Sequence, residues 1–139
     1  MEVRFRSGSL ATGKRADASS DVSSGSNHFW ADNVVDDNPS TRWMCGLTRN
    51  QWLEVDLGEE HEIGRLRIDE CAEFGERVCR FRVLYQKDGE WSEILSGTTL
   101  GPNFTRSFPP VSARVVRLEI VMASDSPMIS ELHLFGPEN

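Results

Sequence analysis

The stretch Gln51-Trp52-Leu53-Glu54-Val55-Asp56-Leu57-Gly58 alternates apolar and polar side chains, with Leu53, Val55 and Leu57 on one face and Gly58 ending the run. Successive side chains of a strand point to opposite faces, so the run predicts a half-buried β-strand. The same period of two continues outward from it. Between Ile63 and Asp69, Leu66 and Ile68 point one way while Arg65, Arg67 and Asp69 point the other. Cys79, Phe81, Val83 and Tyr85 alternate with Arg80, Arg82, Leu84 and Gln86, and Lys87-Asp88-Gly89 then precedes a resumption at Trp91 and Ile94. Asp-Gly supplies the positive backbone dihedrals of a tight turn, so this pair of runs predicts a β-hairpin. Val116, Leu118 and Ile120 alternate with Val115, Arg117, Glu119 and Val121, and Leu132 with Leu134 predicts a last short strand. No apolar face at helical spacing persists for three turns. The fold class expected is all-β, many short strands joined by polar loops in a β-sandwich of the jelly-roll kind. Trp43, Trp52 and Trp91 are assigned to its core, and residues 1–9 to a linker or entering strand ahead of one domain over 10–139.

The chain has 139 residues, 38% of them hydrophobic, which suits one domain with one ordinary core. Its charge is 15 − 22 = −7, and general binding to a nucleic acid backbone needs the opposite sign. Arg67, Arg77, Arg80 and Arg82 concentrate positive charge locally and keep a local anion site open. No run reaches the roughly 18–20 apolar residues of a membrane span, and Met1 to Ser9 lacks the apolar stretch of a signal peptide. The three cysteines, Cys45, Cys71 and Cys79, form no CxxC pair and allow at most one bridge. Cys71 and Cys79 bracket one loop, where a bridge or two free thiols would both fit, and free thiols are expected.

Catalytic signatures are absent: there is no GxSxG, HExxH, Walker A or GxGxxG, and His28, His61 and His133 are scattered. The domain is therefore not expected to be an enzyme. The informative constellation is Asn33-Val34-Val35-Asp36-Asp37-Asn38-Pro39-Ser40-Thr41-Arg42-Trp43, followed far downstream by Ser126-Pro127-Met128-Ile129-Ser130-Glu131-Leu132. A tight loop gathering Asp36 Oδ, Asn38 Oδ and Thr41 Oγ with main-chain carbonyls offers the hard-oxygen cage that calcium prefers, with Glu131 closing it. The alternative is that Asp, Asn, Pro and Ser only build a turn.

The string Val35-Asp36-Asp37-Asn38-Pro39-Ser40-Thr41-Arg42-Trp43, with Gln51 to Gly58 after it, resembles the discoidin family, also called coagulation factor 5/8 type C or carbohydrate-binding module family 32. Phe74-Gly75-Glu76-Arg77-Val78, Asp88-Gly89-Glu90-Trp91, Ser96-Gly97-Thr98-Thr99-Leu100-Gly101 and Pro127 to Leu132 are similar to the C-terminal module of bacterial α-L-fucosidases. The resemblance covers roughly Leu10 to Phe135. It implies an eight-stranded jelly roll holding a structural metal, usually calcium. The implied ligands are the main-chain oxygens of Asn33 and Ser130, the side chains of Asp36, Asn38 and Thr41, and the carboxylate of Glu131.

The resemblance also implies a sugar site on loops at one end of the sandwich, at positions holding Asn27, His28 and Trp30, then Met44, then Glu70, Glu73, Phe74 and Arg77. Galactose-binding members often carry His where Met44 stands. Trp30 and Phe74 suit either a sugar platform or a cap on the core, and Arg77 either a sugar contact or a surface ion pair. The implied function is a non-catalytic carbohydrate-binding module, accessory to a glycoside hydrolase such as an α-L-fucosidase. Its partners would be fucose- or galactose-containing glycans and the parent catalytic domain. Its place would be secreted, periplasmic or at the cell surface within a larger chain. The alternatives are a discoidin-type protein- or membrane-surface domain, for which Phe29, Trp30 and Met44 are the candidate apolar spikes, and a structural domain without sugar binding. Net acidity argues against the membrane.

Overall fold

The computed structural model describes residues 8–24, 27–71, 73 and 75–137. Nine strands lie among them: β1 Arg15–Ala18, β2 Ser23–Ser24, β3 Asn27–His28, β4 Trp43–Met44, β5 Arg49–Glu70, β6 Val78–Lys87, β7 Glu90–Gly97, β8 Phe104–Ala123 and β9 Met128–Phe135. A 3₁₀ turn spans Ala31–Val34. The fold is all-β and its strand pairs are antiparallel.

Two strands are much longer than the alternation alone suggests. Gly58 does not end β5. With φ at 85° it bends the strand, which runs on for 22 residues. β8, at 20 residues, shifts register opposite Ile63 to Arg65, beside Pro109 and Pro110, which have no N–H for a ladder. Each long strand therefore serves both layers of the sandwich. The first half of β5 pairs with β1 and the second half of β8, and β6 and β7 follow. The second half of β5 pairs with β9 and the first half of β8, and β4 lies beyond β9. At the turn between β6 and β7, Asp88 and Gly89 have φ of 54° and 80°, the two positive dihedrals of the expected hairpin.

Leu53, Val55, Leu57, Phe81, Val83, Leu118 and Ile120 from one layer meet Ile63, Leu66, Ile68, Leu132 and Leu134 from the other, all buried in one cluster. Each such side chain contributes about 1.5–3 kcal/mol by leaving water. Trp43 is completely buried, and its indole N–H donates to Ser20 O at 2.9 Å. Trp52 and Trp91 are not core residues. Both are half-buried on the outer face of the first layer, where the Arg117 guanidinium lies between them, 4.6 and 4.3 Å from the two ring centres. The reason is parity: Trp52 precedes Leu53, so it faces away from Leu53, Val55 and Leu57.

Of the segment expected as a linker or entering strand, residues 1–7 lie outside the described residues. Ser9 and Leu10 are tied to β9, Leu10 N donating to Leu134 O at 2.7 Å and Leu134 N to Ser9 Oγ at 3.1 Å.

Asp56, just before the bend, accepts from Gly58 N at 2.8 Å and from Arg114 Nε and Nη2 at 2.8 and 3.2 Å. The Arg114 guanidinium, with the Gly58 amide, holds the Asp56 carboxyl below the usual carboxylate range. A carboxyl whose folded pKa is depressed adds stability above its unfolded pKa and loses it as pH falls through the folded value. Asp56→Asn is thus expected to lower the thermal midpoint at pH 7. The gap between variant and parent should close below about pH 4, where Asp protonates in the unfolded chain. Thermal melts across pH 2.5–7 measure this, and a gap that stays constant would refute it.

Candidate functional site

The turn after Val35 is built by its own side chains. Asp36 Oδ1 accepts from Asn38 N at 3.0 Å and Asn38 Oδ1 from Ser40 N at 2.9 Å, the Asx geometry these residue types favour. The Thr41 hydroxyl lies 2.5 Å from Asp36 Oδ2, 3.0 Å from Asn38 O and 3.3 Å from Asn33 O. It has one proton and can donate to only one of these three oxygens, so the others crowd together without a donor from it. For Asn38 the oxygen facing this cluster is the main-chain carbonyl. Its side-chain oxygen, expected as a ligand, accepts one bond from Ser40 N.

Opposite the turn stands β9. Asp69 pairs with Glu131 and Glu70 with Ile129, so Ser130 is the extra residue of a β-bulge and stays out of the ladder with β5. Its hydroxyl donates to Asp69 O at 3.1 Å. Glu131 is 3% exposed, and neither of its carboxylate oxygens has a hydrogen bond. Oε1 sits 3.1 Å from Nε2 of buried His133 without bonding alignment. Burial pushes the Glu131 carboxyl up, with His133 opposing the rise and Asp36 and Asp37 adding to it. A buried carboxylate among other carboxylates is costly unless a cation offsets it. Asn33, Asp36, Asn38 and Thr41 thus form one group in the turn, and Asp36 lies within electrostatic reach of Glu131. These residues fit a hard divalent cation.

The expected sugar residues divide. His28 and Trp30 stack with ring centres 4.4 Å apart and planes 21° from parallel, and Trp30 is 48% exposed. Phe29 and Met44 are half-buried, so Trp30 does not stand among free apolar spikes. Met44 is sewn into the loops: its N donates to Phe29 O at 3.2 Å and its O accepts from Val22 N at 2.9 Å. Glu73 Oε1 is 3.8 Å from Arg42 Nη1, and the Arg42 guanidinium lies 4.9 Å from the Phe29 ring centre. The backbone of Asn27 pairs with Ser24 in the β2–β3 hairpin. Phe74 lies outside the described residues.

Glu70 and Arg77 do other work. Glu70 is 2% exposed, and its carboxylate accepts from Arg77 N at 2.8 Å, Val78 N at 2.9 Å and Gly101 N at 3.0 Å. It follows Leu66 and Ile68 at the same parity, so it points inward and clamps two loops. Arg77 Nη1 donates to Ser126 O at 2.9 Å and Nη2 lies 3.8 Å from Asp125 Oδ2, fastening the loop before β9. Neither is placed for a sugar. Cys71 and Cys79 are free thiols, and Cys45 is a buried one whose pKa is raised by burial.

Sequence reasoning missed Arg42, Asp37 and His133. Arg42 stood within the quoted motif. His133 follows Glu131 by two, which in a strand means the same face.

The sequence pattern of the F5/8 type C domain matches residues 15–132. The chain belongs to this family. F5/8 type C domains are non-catalytic binding modules, and this one is related to the accessory domains of fucosidases. It is 29% identical over 139 residues to α-L-fucosidase 1 of Arabidopsis thaliana, covering 97% of this chain and 28% of that protein. This F5/8 type C domain thus spans about a quarter of the length of the fucosidase it matches. In structure it is similar to a GH29 fucosidase of Ruminococcus gnavus in complex with fucose, with a TM-score of 0.82 at 23% identity over 94% of this chain and 27% of that one. It is also similar to chitosan-binding module 2 from a Paenibacillus chitosanase/glucanase in complex with chitotriose. That match has a TM-score of 0.81 at 23% identity over 91% of this chain and 99% of the other. These likenesses show that the F5/8 type C domain shares their β-sandwich fold.

Glu70→Ala should leave three amide donors without their acceptor, each costing about 1–3 kcal/mol. We expect a stability loss of at least about 3 kcal/mol in denaturant melts and faster hydrogen exchange at the Val78 and Gly101 amides. A sugar-contacting Glu70 would instead leave stability unchanged.

Proposed function

We propose that this domain is a glycan-binding module, steadied by calcium, that serves a glycoside hydrolase such as an α-L-fucosidase in a secreted, periplasmic or cell-surface setting. One residue carries the reading. The Asn33 amide donates to His28 O and to Arg42 O, both at 2.9 Å, while its carbonyl is one of the oxygens around the Thr41 hydroxyl. The residue that would help to hold the cation thus also holds the backbone at His28, in the exposed Trp30–His28 stack, and at Arg42.

Calcium would be held by Asn33 O, Asp36, Asn38 O, Thr41, Ser130 O and Glu131, and when bound it would supply positive charge between the exposed Asp36 and the buried Glu131. Trp30 with His28 offers an aromatic surface for the C–H face of a sugar ring, while Arg42 and Glu73 offer a donor and an acceptor for hydroxyls. Asn27 and Met44 lie on the strands that frame this end. The complexes of related modules with chitotriose and of a related fucosidase with fucose support a glycan as ligand. Fucose- and galactose-containing glycans are the ones to try first.

Calcium at about a hundred times its Kd should add about 2.7 kcal/mol to the stability of the parent chain. Asp36→Ala and Thr41→Val should lose most of that gain. A thermal midpoint indifferent to calcium and chelator would return the turn to a purely structural role.

Sugar affinity is expected near millimolar, about −4 kcal/mol, because a shallow site replaces hydroxyl–water bonds with few new ones. In NMR titrations with fucose and galactose glycosides, the shifted amides should cluster at residues 28–30, 42–44 and 73. Shifts confined to the β6–β7 turn would overturn the site, and silence with every glycan would favour a structural domain.

A further inference from the structure

Asp37, Glu131 and His133 each offer a ligand atom, and these atoms lie within 4.8 Å of one another. Asp37 adopts φ 55°, a left-handed conformation that Asp tolerates better than most residues, at the start of the turn beside β9. Glu131 and His133 have side chains only 4% and 7% exposed. Both Glu131 oxygens and His133 Nδ1 lack hydrogen bonds. A buried carboxylate with neither oxygen bonded, set against an imidazole nitrogen, is an observation independent of the acidic cluster itself.

We propose that Asp37, Glu131 and His133 form a second cation site, for a borderline divalent ion of the zinc class, which shares the Glu131 carboxylate with the calcium cage. The donor set argues for that class. Calcium takes oxygen ligands, whereas a neutral imidazole suits zinc and its neighbours. With the calcium cage empty, Asp37 and Glu131 offset the ion's two positive charges, and three protein ligands leave a position for water. Ligand atoms about 2.1 Å from one tetrahedral ion lie about 3.4 Å apart, so atoms within 4.8 Å of one another need to close by at most about 1.4 Å, within the reach of side-chain rotation.

A cleft of about 340 Å³, lined in part by Asp37, Pro39, Glu131 and His133, opens the site to solvent. Arg67 also borders it, but its Nε is bonded to Asp69 Oδ1 at 3.1 Å, so its charge is already answered. The competing explanation is that a proton between His133 and Glu131 satisfies both groups. The proposal rests on the calcium reading only through the shared Glu131; Asp37 and His133 belong to this site alone.

The test uses the whole chain with ¹⁵N-labelled histidine, titrated with zinc chloride, and does not depend on any variant folding. The ring nitrogens of His133 should shift by tens of ppm at one equivalent, while those of His28 and His61 stay in place. In calorimetry, His133→Leu and Asp37→Asn should each weaken zinc binding at least tenfold, and His133→Leu should keep the stabilisation by calcium. No zinc binding, binding without movement of the His133 ring, or unchanged affinity in His133→Leu would overturn the proposal in favour of the shared proton. Calcium indifference with a zinc-shifted His133 would remove the calcium reading and leave this one standing.

Discussion

One residue too many in a strand governs the arrangement of the site. Along β9, Leu132 and Leu134 face the core opposite Ile68 and Leu66, whereas Glu131, His133 and Phe135 face outward opposite Asp69, Arg67 and Arg65. Ile129 is also odd-numbered, yet it pairs with Glu70 on the inward parity. The change of phase occurs at Ser130, where the bulge inserts one residue. A slip of one position turns every later side chain over, so without the bulge either Ile129 or Glu131 would sit on the wrong face. The bulge lets a core strand end in an apolar residue and still send two titratable groups towards the turn at Asp36 and Asp37.

The two buried acids near this point show how environment separates scaffold from site. Glu70 and Glu131 are both almost wholly out of water. Glu70 receives three backbone N–H groups, and charge-assisted bonds of this kind are about twice as strong as neutral ones. It holds the loop that ends at Val78 against Gly101. Glu131 receives no backbone donor; beside it stand further acids and the imidazole of His133, whose Nε2 is 3.1 Å from Oε1. The first carboxylate is complete within the protein. The second has only His133 against one of its two oxygens, a deficit that a cation would correct.

Much of the fold was legible because a two-layer sandwich with one face of each sheet in water writes its parity into the sequence. β5, β6 and β8 could be read from alternation, and the β6–β7 hairpin from Asp88-Gly89. The long reach of β5 and β8 was not, since Gly58 bends a strand or ends it with the same residue type. Parity alone turns Trp52 outward and Glu70 inward, against the core assignment of the one and the sugar position that the resemblance implies for the other. The metal turn was legible from residue chemistry, but which oxygen of Asn38 faces inward depends on a side-chain bond to Ser40 N that spacing does not encode. The period of two puts His133 on the face of Glu131, but the approach of Asp37 to both is tertiary and spacing does not encode it.

The tie between Leu10 and Leu134 has a consequence for how the domain is made. β5 receives β1 on one half and β9 on the other, so strands from opposite ends of the domain complete the same central strand. While the chain is being synthesised, the second half of β5 has an unpaired edge until residues 128–135 leave the ribosome. Such non-local closure is slow, and an open edge of that kind is a template for pairing with another chain. The last eight-residue strand is therefore the one whose arrival decides whether the nascent domain closes on itself or on its neighbour.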